Sequence, residues 1–136
     1  MEDCIFCKIV RGEIPSENLF ENDTCLSFLD IMPSNKGHAL VIPKEHYETL
    51  VDIPDEDLKD LMIAVKKVAL ALKKALDFDG FNIFMNNKKV AGQLVPHAHF
   101  HILPRFDNDG LKVEFSHKEY EEGEIRGFRE RIAKFI

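Results

Sequence analysis

The sequence has no apolar run near the roughly 20 residues that span a bilayer, and it has no surplus of positive charge. Lys and Arg number 18 against 24 Asp and Glu, a formal net charge of -6. The first deficit excludes a membrane-spanning helix. The second argues against non-specific binding to nucleic acid or to an anionic membrane, both of which want excess Lys and Arg. A local nucleotide pocket stays open, because a few donors suffice for it. Cysteine is scarce and odd in number, at three, which does not suit a disulfide framework. There is no repeat, no low-complexity tract and no Gly-, Ser- or Pro-rich linker, so one domain over residues 1–136 is expected. The opening "MEDCIFCKIV" carries Glu2 and Asp3 where a signal peptide would carry positive charge, and a cytoplasmic protein is expected.

The 136 residues are 45% hydrophobic and 31% charged, ordinary for a globular chain with a core of useful size. "LFENDTCLSFLD" (19–30) reads as a hairpin turning at "END", with Leu26 and Phe28 on one face. "GHALVIPK" (37–44) reads as a strand closed by Pro43. "IPDEDLKDLMIAVKKVALALKKALDFDG" (53–80) reads as a helix. Its Leu58, Leu61, Met62, Val65, Val68, Ala69, Leu72 and Leu76 fall at steps of three and four, with Asp52 as N-cap and Pro54 in the first turn. "FNIFMN" (81–86) is a further strand, "NKKVAGQ" (87–93) a loop, and 116–136 a helix weakened by Gly123 and Gly127. Several antiparallel strands with one long helix make the fold class α+β.

Of six histidines, three stand in "VPHAHFHILPR" (95–105), two residues apart. On a strand His97, His99 and His101 share one face, while Ala98, Phe100 and Ile102 share the other and can pack on a core. A row of hydrogen-bonded surface histidines is the plain alternative. Residues i and i+2 on a strand are about 6–7 Å apart, so three in a straight row strain to meet one metal ion. The row is better divided between tasks. Cys4 and Cys7 have the C-x-x-C spacing that grips one tetrahedral zinc, and His46 and His97 would complete a Cys2His2 set. A redox pair or two buried cysteines is the alternative. Cys25 reads as core. His99 and His101 suit phosphorus chemistry, since a neutral imidazole is a nucleophile and a second can donate a proton or bind phosphoryl oxygens. The loop before them offers Asn86, Gly92 and Gln93, or is an ordinary turn.

The stretch His97-Ala-His-Phe-His101-Ile-Leu resembles the signature of the histidine-triad (HIT) family. "CIFCKIVRGEIPSENLFEND", "FLDIMPSNKGHALVIPKEH" and "AGQLVPHAHFHILPR" extend the likeness over nearly the whole chain, closest to the Hint-like branch and its zinc-carrying members. The resemblance implies an antiparallel meander sheet with one long helix and a C-terminal helix, the sheet continuing into a second copy in a homodimer. It implies a nucleotide hydrolase or nucleotidyltransferase, hydrolysis first, that cleaves at the α-phosphorus of purine nucleoside 5′-phosphate derivatives through a nucleotidyl-histidine. His99 would be the nucleophile, His101 would contact the phosphate, and His38 would support His99 by hydrogen bonding. Asp30 would take the ribose hydroxyls. Phe6, Ile9, Phe28 and Ile31 would form the base pocket, and Asn86, Gly92, Gln93 and Leu94 would border ribose and phosphate. Cys4, Cys7, His46 and His97 match the ligands of one structural zinc per chain.

Each role has a plain alternative: the apolar four as core, Asp30 as a turn cap before Pro33, His38 as a satisfied buried histidine. Leu94 is a departure, since many relatives have Ser or Thr there, and it offers only its N–H. A non-catalytic nucleotide-binding or scaffold protein with a structural zinc is therefore the second hypothesis. A zinc hydrolase is the third, but four protein ligands would close the site to water. Like-charge repulsion between His99 and His101 predicts that the pair shares about one proton near neutrality, and hence a bell-shaped pH profile.

Overall fold

The computed structural model describes residues 2–136. A short helix, α1 (Ile5–Val10), is followed by β1 (Asn18–Glu21), β2 (Cys25–Leu29) and β3 (Ala39–Pro43). The long helix α2 (Asp55–Leu76) leads to β4 (Gly80–Phe84) and β5 (Phe100–Arg105), and α3 (Glu124–Ala133) ends the ordered elements. The five strands form one antiparallel sheet in the order β1-β2-β3-β5-β4. The first three run as a meander, and β5 then inserts between β3 and β4. The fold is α+β, as its alternating segments predict.

Period-two alternation gives the sheet two apolar faces. Cys25, Ala39, Val41, Ala98, Phe100 and Ile102 pack beneath α2, which buries Leu61, Ala64, Val65, Val68, Ala69 and Leu72 against them. Each Val, Leu, Ile or Phe among them, fully buried, stabilises by about 1.5–3 kcal/mol before entropy is counted. Met62 (44% exposed) and Leu76 (38%) lie off that stripe, and Ala64 takes a place the helical pattern did not assign. On the opposite face Leu26, Phe28, Leu40 and Ile42 pack under α1 with Cys4, Phe6 and Cys7.

Several boundaries differ from expectation, each for a local reason. Asp52 does not cap α2. Its carboxylate accepts both the N–H and the hydroxyl of Thr49 and closes a 3-10 turn at Leu50–Asp52, while Pro54 precedes the long helix. At the far end Asp77 takes a left-handed conformation (φ 48°), so α2 stops before Gly80, which opens β4. The C-terminal helix is short. Gly123 (φ 78°) marks its start, and "SHKEYEE" before it is exposed throughout, with Tyr120 meeting Phe128 edge-on at 5.8 Å but no side chain buried to repay helix formation. α1 was not expected at all: six residues are too few for a periodic signal, and its N-cap is a thiol, Cys4 Sγ, which accepts the N–H of Cys7 at 3.4 Å.

The histidine segment becomes a strand only at Phe100. Upstream its bonds go elsewhere. The ring of His97 donates Nε2–H to the carbonyl of Pro43 at 2.8 Å, and Ala98 N–H bonds to the carbonyl of Tyr47 at 2.6 Å. Pro43, which has no N–H, cannot extend the β3–β5 ladder past this point. The alternation survives: Ala98, Phe100 and Ile102 stay in the α2 core, and the three imidazoles stay opposite.

Candidate active site

The end of β3, the N-cap of α1 and the extended segment before β5 meet at one point. Cys4, Cys7, His46 and His97 each bring a ligand atom within 4.8 Å of the others. His97 Nδ1 lies 3.4 Å from Cys4 Sγ and 3.5 Å from Cys7 Sγ, and His46 Nδ1 lies 3.4 Å from Cys7 Sγ. Ligand atoms around a tetrahedral zinc at 2.0–2.3 Å stand roughly 3.3–3.8 Å apart, so these separations suit such an ion. The tautomer suits it too. Because His97 Nε2 carries its hydrogen toward the Pro43 carbonyl, Nδ1 turns its lone pair toward the thiols. Burial raises the Cys7 thiol above its usual range, and His97 is pushed down to about 4, again by burial first. The two imidazoles are thus neutral, as metal ligands must be, while the thiols would bind as thiolates once a cation outweighs the upward push of burial on Cys7. An open groove of about 480 Å³ runs past this cluster between Ile5, Glu48 and the exposed Leu94.

The next histidine belongs to the second task. His99 is 5% exposed and donates Nδ1–H to the carbonyl of His97 at 2.7 Å. Its Nε2 is left with a lone pair, the form a nucleophile needs. Phe6 sets its ring edge-on to His99 (centroids 5.1 Å, 87°) and also meets Phe28 at 5.5 Å. Burial lowers the His99 pKa, so the ring stays neutral near neutrality.

His101, on β5, stands beside it with ring centroids 4.8 Å apart. Ser34 N–H bonds to His38 Nδ1 at 3.2 Å, so His38 carries its hydrogen on Nε2 and donates it to His101 Nδ1 at 2.9 Å. His38 thus bonds His101, not His99 as the resemblance implied. The register explains this, because Leu40 of β3 stands opposite His101 and brings the start of β3 to that ring. Asp30 Oδ2 lies 3.9 Å from His38 Nε2, while Asp30 Oδ1 accepts Met32 N–H at 2.9 Å. His101 is pushed down to about 4 by burial first and then by His99 and His38; Asp30 opposes only partly. Burial thus lowers both imidazoles, with Asp30 opposing only in part, which favours a neutral pair over the shared proton expected from spacing.

The pocket residues separate. Phe6 and Phe28 are buried together and Ile9 packs beside them, but Ile31 is 90% exposed and stands at a rim. Gln93 is 6% exposed with its amide already engaged: Oε1 accepts Lys88 N–H at 2.7 Å and Nε2 donates to the Glu48 carbonyl at 2.6 Å. It shapes the loop rather than offering a free amide. Gly92 has φ 97°, and a Cβ there would come 3.3 Å from the Asn86 amide nitrogen, so the turn and Asn86 are fitted together. Sequence reasoning missed Phe84. It stands opposite His101 in the β4–β5 register and stacks on its ring at 4.5 Å and 8°. Alternation along 80–84 places it on the histidine face, a signal that needed the register to be noticed.

Fold and site together define a small α+β protein with paired neutral imidazoles next to a Cys2His2 cluster. The chain belongs to the histidine-triad family: a model described as HIT domain matches residues 11–108. A Schizosaccharomyces pombe protein named an adenosine 5′-monophosphoramidase is 43% identical over 134 residues, 98% of each chain. The crystal structure of a HIT family member from Bacillus subtilis is 39% identical, covers 98% of this chain and 97% of its own, and superposes with a TM-score of 0.93. The structure titled a Zn-bound histidine triad family protein from Mycobacterium smegmatis is 36% identical, with 98% and 95% covered and a TM-score of 0.76. Among the described residues no helix is long and apolar enough to cross a membrane.

Proposed function

We propose that this protein hydrolyses purine nucleoside 5′-phosphate derivatives, such as phosphoramidates or dinucleoside polyphosphates, through a nucleotidyl-histidine on His99. One observation carries the proposal: His99 Nδ1–H is held by the His97 carbonyl, which leaves Nε2 with a lone pair on a ring that is only 5% exposed. Nε2 forms a bond to the α-phosphorus as the bond to the leaving group breaks. His101, whose Nδ1 is occupied by His38, has Nε2–H left to donate to a phosphoryl oxygen. Water then attacks the phosphorus, the P–N bond breaks, and a nucleoside monophosphate leaves. Phe6, Phe28 and Ile9 hold the base with Ile31 at the rim. Asp30 receives the ribose, and Asn86, Gly92 and the Leu94 N–H border the phosphate. The monophosphoramidase relative supports the reaction class.

Cys4, Cys7, His46 and His97 hold one structural zinc in this proposal, supported by the donor set and the zinc-bound relative. Zinc there supplies rigidity, because four protein ligands leave no position for water. The single domain works in a reducing cytoplasm as a homodimer, without nucleic acid or membrane partners. Leu94 gives the second hypothesis its one supporting observation. It is 91% exposed and lacks a hydroxyl, as a nucleotide-binding scaffold without useful turnover would allow.

The deciding experiment assays adenosine and guanosine 5′-phosphate derivatives on wild type and His99→Ala, with intact-mass measurement after rapid quenching. Turnover with an added nucleoside monophosphate on the wild type alone is expected. Undiminished turnover by His99→Ala overturns the mechanism, and nucleotide binding without any turnover favours the scaffold.

A further inference from the structure

We infer that Phe84 is a positioning residue for the reaction, aiming the His101 ring by a parallel stack. The inference rests on the proposed role of His101 as a donor to phosphoryl oxygen. An imidazole on a strand has two orientational freedoms that matter to such a donor: the tilt of its plane, and the flip that exchanges its two nitrogens. The structure fixes them with different partners.

The flip is set by hydrogen bonding. Ser34 N–H holds His38 in the tautomer that donates from Nε2, and His101 Nδ1 accepts that hydrogen at 2.9 Å. A flipped His101 would present carbon there and leave His38 Nε2–H with only the Asp30 carboxylate, 3.9 Å away, in place of a 2.9 Å hydrogen bond. This bond leaves the ring free to rock about the line joining the two nitrogens. The tilt is set by Phe84. Its ring lies flat against His101, with centroids 4.5 Å apart and planes within 8°. The other aromatic neighbours of His101 meet it at steep angles, His38 at 48° and His99 at 58°, so neither provides a flat support. Phe84 is directly opposite His101 in the β4–β5 ladder, and the backbone on both sides is tied by strand pairing. The stack therefore hangs from two hydrogen-bonded strands, with Phe84 at the end of β4. Aliphatic side chains of similar volume would fill the space without defining a plane.

The chemical consequence concerns direction, not occupancy. With flip and tilt both fixed, the remaining Nε2–H of His101 points one way before any ligand arrives. A preorganised donor stabilises charge as it develops on phosphorus and needs no reorganisation during the reaction. Binding of the nucleoside part uses other residues, so losing the stack should fall on kcat and not on KM.

The test compares wild type, Phe84→Leu and Phe84→Tyr with adenosine 5′-phosphoramidate, and records 15N ring spectra of His101. Phe84→Leu is expected to lose about tenfold in kcat, with KM within about twofold of wild type. Phe84→Tyr, which keeps the flat ring, is expected to retain wild-type kcat within about threefold. Should the leucine variant fail to accumulate, Phe84→Met replaces it. The spectra should show a neutral His101 protonated at Nε2 in wild type, with that N–H signal broadened by water exchange in the leucine variant. Wild-type kcat in Phe84→Leu, or equal losses in Phe84→Leu and Phe84→Tyr, overturns the inference, as does a wild-type His101 protonated at Nδ1. If wild type shows no turnover, the proposed function fails instead, and the Nε2–H spectra alone decide the Phe84 inference.

Discussion

The backbone carbonyl of His97 accepts the ring Nδ1–H of His99 at 2.7 Å, so one residue serves both halves of the site. Its side chain faces Cys4 and Cys7, and its main chain fixes the tautomer of the proposed nucleophile. These two duties can be separated by mutation. His97→Ala removes the imidazole and keeps the carbonyl. It should lose bound metal and thermal stability, yet retain more activity, down about tenfold, than His99→Ala, down at least about a thousandfold. Metal analysis, Tm and kinetics on both variants check the order. The reverse order of activity would mean that the metal side matters more to turnover than the nucleophile.

Metal removal should act through α1. Cys4 and Cys7 frame Phe6, which lies against Phe28 and His99. With the cluster opened, the helix is tied to the sheet only by its apolar contacts. About one zinc per chain is expected by elemental analysis. Chelation should lower Tm by several degrees, at roughly 3–5 °C per kcal/mol for a chain of this size. Zinc-free protein prepared without chelator, with an unchanged Tm on adding zinc, would remove the Cys2His2 proposal.

Gly37 precedes His38 at φ 92°, and a Cβ there would come 2.5 Å from Leu76 Cδ1. The backbone conformation strains any side chain there, and the Leu76 methyl, at the end of a half-exposed side chain, would have to move aside. Gly37→Ala should destabilise by about 1–3 kcal/mol and displace the Ser34–His38 turn. Chemical denaturation gives the first quantity. A change below about 0.5 kcal/mol would show that the turn relaxes freely.

How much of this was legible follows from the range of each signal. Period two placed Leu26 with Phe28, and the three histidines opposite Ala98, Phe100 and Ile102, because alternation is local. The Cys4-Cys7-His46-His97 set was legible as ligand chemistry before any distance was known. What escaped depends on contacts between distant segments. Pro43 ends the ladder beside His97, so the strand begins later than the pattern says. Leu40 stands opposite His101, so His38 meets that ring. Phe84 needs the β4–β5 register. Gln93 reads as a ligand contact until Lys88 and Glu48 occupy its amide. The shared proton has a related limit, since repulsion between two imidazoles can be argued from spacing, whereas the burial that lowers both rings cannot.

That last point changes the expected pH dependence. His101 is held down to about 4, and His38 is also lowered, in both cases chiefly by burial. Unfolded, each titrates near 6.5. Between these limits the unfolded chain binds more protons than the folded one, so stability rises with pH there. The contribution of His101 is complete above about 6.5 and is lost as pH falls toward 4, and His38 adds to it in the same direction. The same neutrality removes the alkaline limb that a protonated His101 would have given to kcat/KM. The profile should be level from about pH 7 to 9 and fall only on the acid side, as the proposed nucleophile is protonated. Urea denaturation between pH 4.5 and 8, with kcat/KM over the same range, tests both statements. His101→Asn should flatten part of the acid loss of stability. A bell with an alkaline limb near pH 7, abolished by His101→Asn, would restore the protonated His101 and show that Asp30, 3.9 Å from His38, outweighs burial in this pocket.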